Sequence, residues 1–266
     1  MRFCSITSGS SGNCIYVGSD TTHLLVDVGI SGKRVKEGLE KLGVKPEELD
    51  GIFITHEHSD HISGLGVLAR KYGIPIYGTK GTLEAIRQSS SVGCIDEGLF
   101  SEIKADERVM IKDLGLNPMR ISHDAAEPVA YRISHGKKQL GIVTDLGCYN
   151  DYIVEGLKGM DALLIEANHD VNMVQVGPYP YSLKKRILGD RGHLSNELSG
   201  KLLCRLLHDR MQTVVLGHLS KENNLPELAF ETVRVELIMA DTGYRPEDFS
   251  IKVASRSQMS EIIHIA

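Results

Sequence analysis

Seven residues, Thr55-His56-Glu57-His58-Ser59-Asp60-His61, constrain this chain more than any other stretch. They close the apolar run Gly51–Thr55 (GIFIT), which reads as a buried strand feeding a polar loop. Such a concentration of His and Asp suits divalent cations: imidazole favours zinc, iron or manganese, and a carboxylate lets a harder ion compete. In a tight loop after a strand, residues two apart project to the same side. His56 and His58 can therefore close on one ion, while Asp60 and His61 face a second position. One loop cannot complete two sites, so the remaining ligands must come from later strand ends. Three residues have that context: His123 after MRIS, Asp145 after GIVT and His218 after TVVLG.

The rest of the pattern says what kind of scaffold carries that loop. Strands are expected at Phe3–Thr7, Cys14–Val17, His23–Val28, Pro75–Gly78, Met119–Ser122, Val129–Ser134, Gln139–Thr144, Ala162–Glu166, Thr213–Leu216 and Phe249–Ala254. Helices are expected from Ser31 to Leu42, His61 to Tyr72, Gly81 to Gln88, Tyr152 to Lys158, Asn196 to His208 and Pro226 to Ile238. Residues 168–191 read as a polar segment between the strand ending at Glu166 and the helix capped by Ser195 or Asn196. Two strand-rich halves flanked by helices, with no linker or repeat between them, imply a layered α/β domain spanning 1–266.

Composition removes several function classes. No apolar run approaches the roughly 20 residues of a membrane-spanning helix, so no membrane partner is expected. The start, MRFCSITSGSSGNC, does not read as a signal peptide. Five cysteines form no CxxC pair, which points to unpaired thiols and a cytoplasmic location. A net charge of −5 argues against indiscriminate polyanion binding, and the absence of Trp argues against broad stacking platforms.

The order HxHxDH, then His, then Asp, then His resembles that of the metallo-β-lactamase-fold hydrolases across essentially the whole chain. The resemblance implies a four-layer αββα sandwich with a binuclear site at one edge of the sheets. By position it implies that His56, His58 and His123 hold one divalent metal, that Asp60, His61 and His218 hold the other, and that Asp145 bridges both. Zinc is expected ahead of manganese or iron. The segments SGSSGNC (from Ser8), LLVDVGIS (from Leu24), EANHD (from Glu166), RGHLSN (from Arg191) and GHLSKENN (from Gly217) look like those of the YycJ/WalJ group. That group is similar to RNase Z, RNase J and the cyclic phosphodiesterase PhnP.

The resemblance carries functional expectations. It implies a phosphodiesterase acting on nucleic acid, DNA ahead of RNA, with 5′-to-3′ exonuclease activity and a metal-bridged hydroxide as nucleophile. Asp60 and His193 are the catalytic candidates, His193 as a phosphate contact or proton donor. Asp27 matches a family position whose carboxylate orients the histidine loop. Lys184, Lys185, Arg186 and Arg191, interleaved with Tyr179 and Tyr181, are candidates for phosphate contact. SGSSGN could offer backbone amides to an anion or serve only as a turn, and His169 could be structural or line the cleft. The competing reading is a small-molecule hydrolase of a cyclic phosphodiester, thioester or lactone; a third is a non-catalytic protein that keeps metals for stability. Oligomeric state is not legible.

Overall fold

A computed structural model describes residues 1–266. The chain opens with strands β1 (Arg2–Thr7), β2 (Cys14–Gly18) and β3 (His23–Val26), then helix α1 (Gly32–Lys41) and strand β4 (Gly51–Phe53). Helices α2 (Ser59–Ile62) and α3 (Leu65–Tyr72), strand β5 (Ile76–Thr79), helix α4 (Lys80–Gln88) and strand β6 (Phe100–Ile103) follow. Next come strands β7 (Val109–Ile111), β8 (Leu114–Arg120), β9 (Val129–His135) and β10 (Lys138–Val143), helix α5 (Asp151–Leu157) and strand β11 (Ala162–Glu166). Helices α6 (Val171–Val176), α7 (Tyr181–Ile187) and α8 (Asn196–Cys204) lead to strand β12 (Thr213–Gly217), helix α9 (Pro226–Met239), and strands β13 (Ser250–Val253) and β14 (Ile263–His264).

Two seven-stranded mixed sheets result, in the orders β14-β1-β2-β3-β4-β5-β6 and β13-β12-β11-β10-β9-β8-β7. Period-two alternation of apolar residues decides which face of each strand packs where. In the first sheet Phe3, Ile15, Val17, Leu24, Val26 and Phe53 point toward the second sheet, where they meet Leu116, Tyr131, Leu140, Leu164 and Val215. Their neighbours Cys4, Tyr16, Leu25, Ile52 and Ile54 point outward, under Val35, Leu39, Leu68, Leu83 and Ile86 of α1, α3 and α4. The second sheet does the same: Leu163, Ile165, Val214 and Leu216 face outward, against Ile153, Leu157, Leu202 and Val233 of α5, α8 and α9. Three apolar layers between four layers of structure are the αββα sandwich expected from the sequence.

Strands β3 to β6 run parallel, as do β10 to β13, so several strands of each sheet end at a common edge. Ligands of open α/β sheets collect outside the carboxyl ends of such strands.

Several local expectations are corrected. The helix expected over 61–72 breaks at Ser63–Gly64, because the backbone there passes against Ile30: a Cβ on Gly64 would lie 2.0 Å from the Ile30 carbonyl oxygen. Residues 168–191 contain two short helices, α6 and α7, separated by a Gly-Pro-Tyr-Pro stretch. The strand expected at Met119–Ser122 starts earlier, at Leu114, and ends at Arg120. Its early part, LGLNP, carries the Gly and Pro that argue against a strand interior. β6, β7 and β14 are short strands absent from the sequence reading.

Candidate metal centre

The histidine loop leaves β4 and enters α2, while Asp27 follows β3, Asp145 follows β10 and His218 follows β12. All three of these last residues adopt left-handed backbone conformations, with φ of 60° at Asp27, 59° at Asp145 and 54° at His218. Non-glycine residues seldom accept that conformation, and it costs on the order of 1 kcal/mol or more at each position. It turns each chain sharply at the strand end, so that a buried side chain enters the seam between the sheets.

Two clusters form there. The ligand-capable atoms of His56, His58 and His123 lie within 4.8 Å of one another, and so do those of Asp60, His61 and His218. His123 Nε2 sits 3.3 Å from His58 Nδ1. Asp145 stands between the clusters: one carboxylate oxygen is 3.2 Å from His61 Nε2, and the other is 3.3 Å from His218 Nε2 and 3.7 Å from His123 Nε2. The sequence-assigned ligands are thus all brought to one place.

Unpaired atoms show that the cluster suits divalent cations. His56 Nε2 and His218 Nε2 are buried and accept or donate no hydrogen bond. An unsatisfied buried polar atom costs roughly 1–3 kcal/mol, and a bound cation removes that cost. Electrostatics favour the same occupant. Burial, with His61 nearby, pushes His56 well below the ordinary imidazole range, leaving a neutral ring with a lone pair to give. Burial likewise lowers His123. Burial disfavours charge on Asp145, yet His218, His61 and His56 outweigh it and hold the carboxyl well below the usual carboxylate range. His61 is raised despite its burial, by Asp145, Asp27 and Asp60.

The surrounding residues orient the ligands. Asp27, 2% exposed, accepts hydrogen bonds from the Thr55 amide at 2.8 Å and the Thr55 hydroxyl at 2.8 Å, and its Oδ2 lies 2.8 Å from His61 Nδ1. His123 Nδ1 lies 3.0 Å from the Gly192 carbonyl oxygen. Both partners accept, so Nδ1 carries the proton and Nε2 faces the cluster.

His193 lies beside both clusters, its ring stacked 5.3 Å from that of His218 and tilted against that of His123 at 5.2 Å. Glu166, fully buried at the end of β11, holds His193 Nδ1 at 2.7 Å and also accepts from the amides of Leu146 and Leu194. Burial works against a charge on His193, but Glu166 and Asp145 raise it to about 9. Glu166 escapes the sequence reading. A carboxylate ending an apolar strand (ALLIE) is the one signal that could have marked it, the same signal that marks Asp27 and Asp145.

The basic candidates separate. Arg191 donates through Nε and Nη2 to the His123 carbonyl at 3.2 and 3.1 Å, so it braces a ligand loop. Arg186 pairs with Asp124, whose carboxylate lies 3.4 Å from His123 Nε2. Lys184 donates to the Gln175 carbonyl at 2.7 Å, and Lys185 is exposed. His169 is buried against Asn168 and lies 49 positions before His218 without joining either ligand cluster. In the SGSSGN turn the amides of Gly9, Gly12 and Asn13 are bonded within the protein, to Asn13 Oδ1, the Gly9 carbonyl and the Asp60 carbonyl, and Ser10 and Ser11 form its exposed tip.

Comparison with known proteins agrees with this architecture. A family model described as the beta-lactamase superfamily domain matches residues 22–219. The chain is 42% identical over 242 residues to exodeoxyribonuclease WalJ of Streptococcus pneumoniae strain D39, covering 91% of this chain and 90% of that protein. It is 37% identical over 252 residues to exodeoxyribonuclease YycJ of Bacillus anthracis, covering 92% and 91%. Among solved structures, the metallo-β-lactamase-fold protein YhfI of Bacillus subtilis superposes with a TM-score of 0.71 at 16% identity, covering 97% of this chain and 98% of that one. The chain belongs to the β-lactamase superfamily, in the metallo-hydrolase group of WalJ and YycJ.

Proposed function

We propose that this chain is a two-metal phosphodiesterase that digests DNA, proceeding from the 5′ end. One observation carries the reading: Asp145 lies between two His-rich clusters, where the buried His56 Nε2 and His218 Nε2 make no hydrogen bond. Relatives named exodeoxyribonucleases, similar over most of the chain, supply the substrate class. DNA stands ahead of RNA on the same ground.

His56, His58 and His123 would hold one cation, Asp60, His61 and His218 the second, and Asp145 both. Zinc suits this donor set, and manganese or iron can substitute. Two divalent cations at such a site lower the pKa of water toward neutrality and neutralise charge on the attacking and leaving oxygens. Asp60, whose side chain is 23% exposed, is placed to accept a proton from the attacking water. His193, held by Glu166, presents an imidazolium to the scissile phosphate or its leaving oxygen. Lys185 and Tyr181, the latter 82% exposed, lie on α7, which the Arg186–Asp124 pair ties to the rim of the centre. They would take the next phosphate and sugar of the strand.

No helix is long and apolar enough to cross a membrane. With five cysteines all unpaired, the reading places the enzyme in the cytoplasm, and residues 1–266 act as one domain.

The test is digestion of duplex and single-stranded DNA labelled at either end, beside a generic aryl phosphodiester. Mononucleotide release from the 5′ end by wild type, with loss of at least about 10³-fold in folded Asp60→Ala, is expected. Cleavage of the aryl ester alone would move the assignment to a small-molecule hydrolase.

A further inference from the structure

The loop between β1 and β2 reaches the metal centre through one side chain. Asn13 is 2% exposed, and every polar group it owns is engaged. Its amide N–H donates to the Asp60 carbonyl at 2.8 Å and its carbonyl accepts from the Gly29 amide at 2.7 Å. Its side-chain Oδ1 accepts from the Gly9 amide at 3.0 Å, and its Nδ2 donates to the Asp60 carbonyl at 3.3 Å. The same oxygen lies 3.2 Å from His218 Nδ1, and the same nitrogen lies 3.1 Å from His61 Nε2. Asn13 therefore touches Asp60, His61 and His218, the whole second cluster.

Backbone groups decide which way its amide points. An N–H can only meet Oδ1 and a carbonyl can only meet Nδ2, so Gly9 and Asp60 fix the orientation without reference to either imidazole. Oδ1 then accepts and cannot donate, which requires the proton of neutral His218 to sit on Nδ1. Nε2 is left with a lone pair, buried, without a hydrogen bond and aimed beside Asp145. The loop cannot slide away from this position. A Cβ on Gly29 would lie 1.6 Å from the Asp60 carbonyl oxygen, and the Ser8 hydroxyl accepts the His218 amide at 2.9 Å.

We infer that Asn13 is a positioning residue for the second metal: it selects the His218 tautomer whose Nε2 is free to bind, and it links the β1–β2 loop to the ligands of that position. The inference rests on the two-metal reading above. It also assigns SGSSGN a role: the turn is a bracket for a ligand, held by backbone contacts.

Two measurements test it. On metal-free protein, long-range ¹⁵N–¹H spectra report the tautomer of His218; wild type should show Nδ1–H, and Asn13→Ala should lose that preference. By equilibrium dialysis against zinc, Asn13→Ala should lose one of two ions, with affinity for that ion lowered about 10–100-fold and the other ion retained. Asn13→Asp keeps an acceptor for Gly9 and His218 and should restore the tautomer. It also serves as the working variant if Asn13→Ala does not fold. An Nε2–H tautomer in wild type, or two ions bound by folded Asn13→Ala at wild-type affinity, would overturn the assignment. Wild-type protein that binds fewer than two ions would instead sink the two-metal reading, and the tautomer spectrum would still decide the role of Asn13.

Discussion

Asp27 Oδ2 and His61 Nδ1 lie 2.8 Å apart, both buried, across 34 residues of chain. The same carboxylate takes two hydrogen bonds from Thr55, so one side chain fixes both ends of the histidine loop. Asp27→Ala leaves three donors without an acceptor and should cost about 3 kcal/mol in urea unfolding, with metal affinity reduced about 10–100-fold by dialysis. Asp27→Asn keeps the shape and should cost less stability while still weakening the metal.

Glu166 and His193 should behave as a unit. Each single change, Glu166→Gln or His193→Ala, should lower kcat about 10²–10⁴-fold with a small change in KM, and the double variant should be little worse than the poorer single one. Multiplying effects in the double variant would mean that the two act independently.

Removing metal should destabilise the fold measurably, because the buried ligand atoms lose their partner. At a free metal concentration 100 times Kd, binding contributes about 2.7 kcal/mol, so chelation should lower Tm by roughly 5–10 °C, reversibly on adding metal back. An unchanged Tm would argue against occupation of these clusters.

Arg191 and Lys185 should separate by phenotype. Arg191→Ala removes two hydrogen bonds to the His123 carbonyl and should weaken metal binding, and Arg191→Lys should restore little of it. Lys185→Ala should leave metal content unchanged, raise KM for DNA, and reduce the salt dependence of binding by about one ion.

His169 sets an acid limit on stability. Burial, with His193 nearby, lowers it to about 4, whereas in the unfolded chain it titrates near 6.5. The unfolded state binds the extra proton between these values, so stability falls as pH drops from about 6.5 to 4 and levels below that. The loss is on the order of 3 kcal/mol. Urea unfolding of metal-free protein at pH 7 and pH 4.5 should show it, and His169→Gln should be less acid-sensitive by a similar amount.

Sequence made the ligands legible because their signals are local. Six positions hold four of them, and His123, Asp145 and His218 each mark the place where an apolar run turns polar. Glu166 ends a strand in the same way, but its meaning depends on His193 arriving 27 residues later, and nothing local announces that. Arg191 binds a backbone carbonyl 68 positions earlier, a target with no side-chain identity to read. Helices α6 and α7 have six and seven residues, too short for an apolar period, and Pro178 and Pro180 between them look like loop. Strand β14 has two residues and exists because β1 offers it an edge.

The left-handed turns at Asp27, Asp145 and His218 also bear on how such a protein can change. Glycine would relieve the backbone at each of these positions but would give up the buried hydrogen bonds and ligand atoms that these side chains supply. A descendant freed from its chemistry would exchange one cost for another there, losing its ions in the process. These three positions therefore form a gauge: a lineage that no longer carries acid, acid and imidazole there has given up its ions.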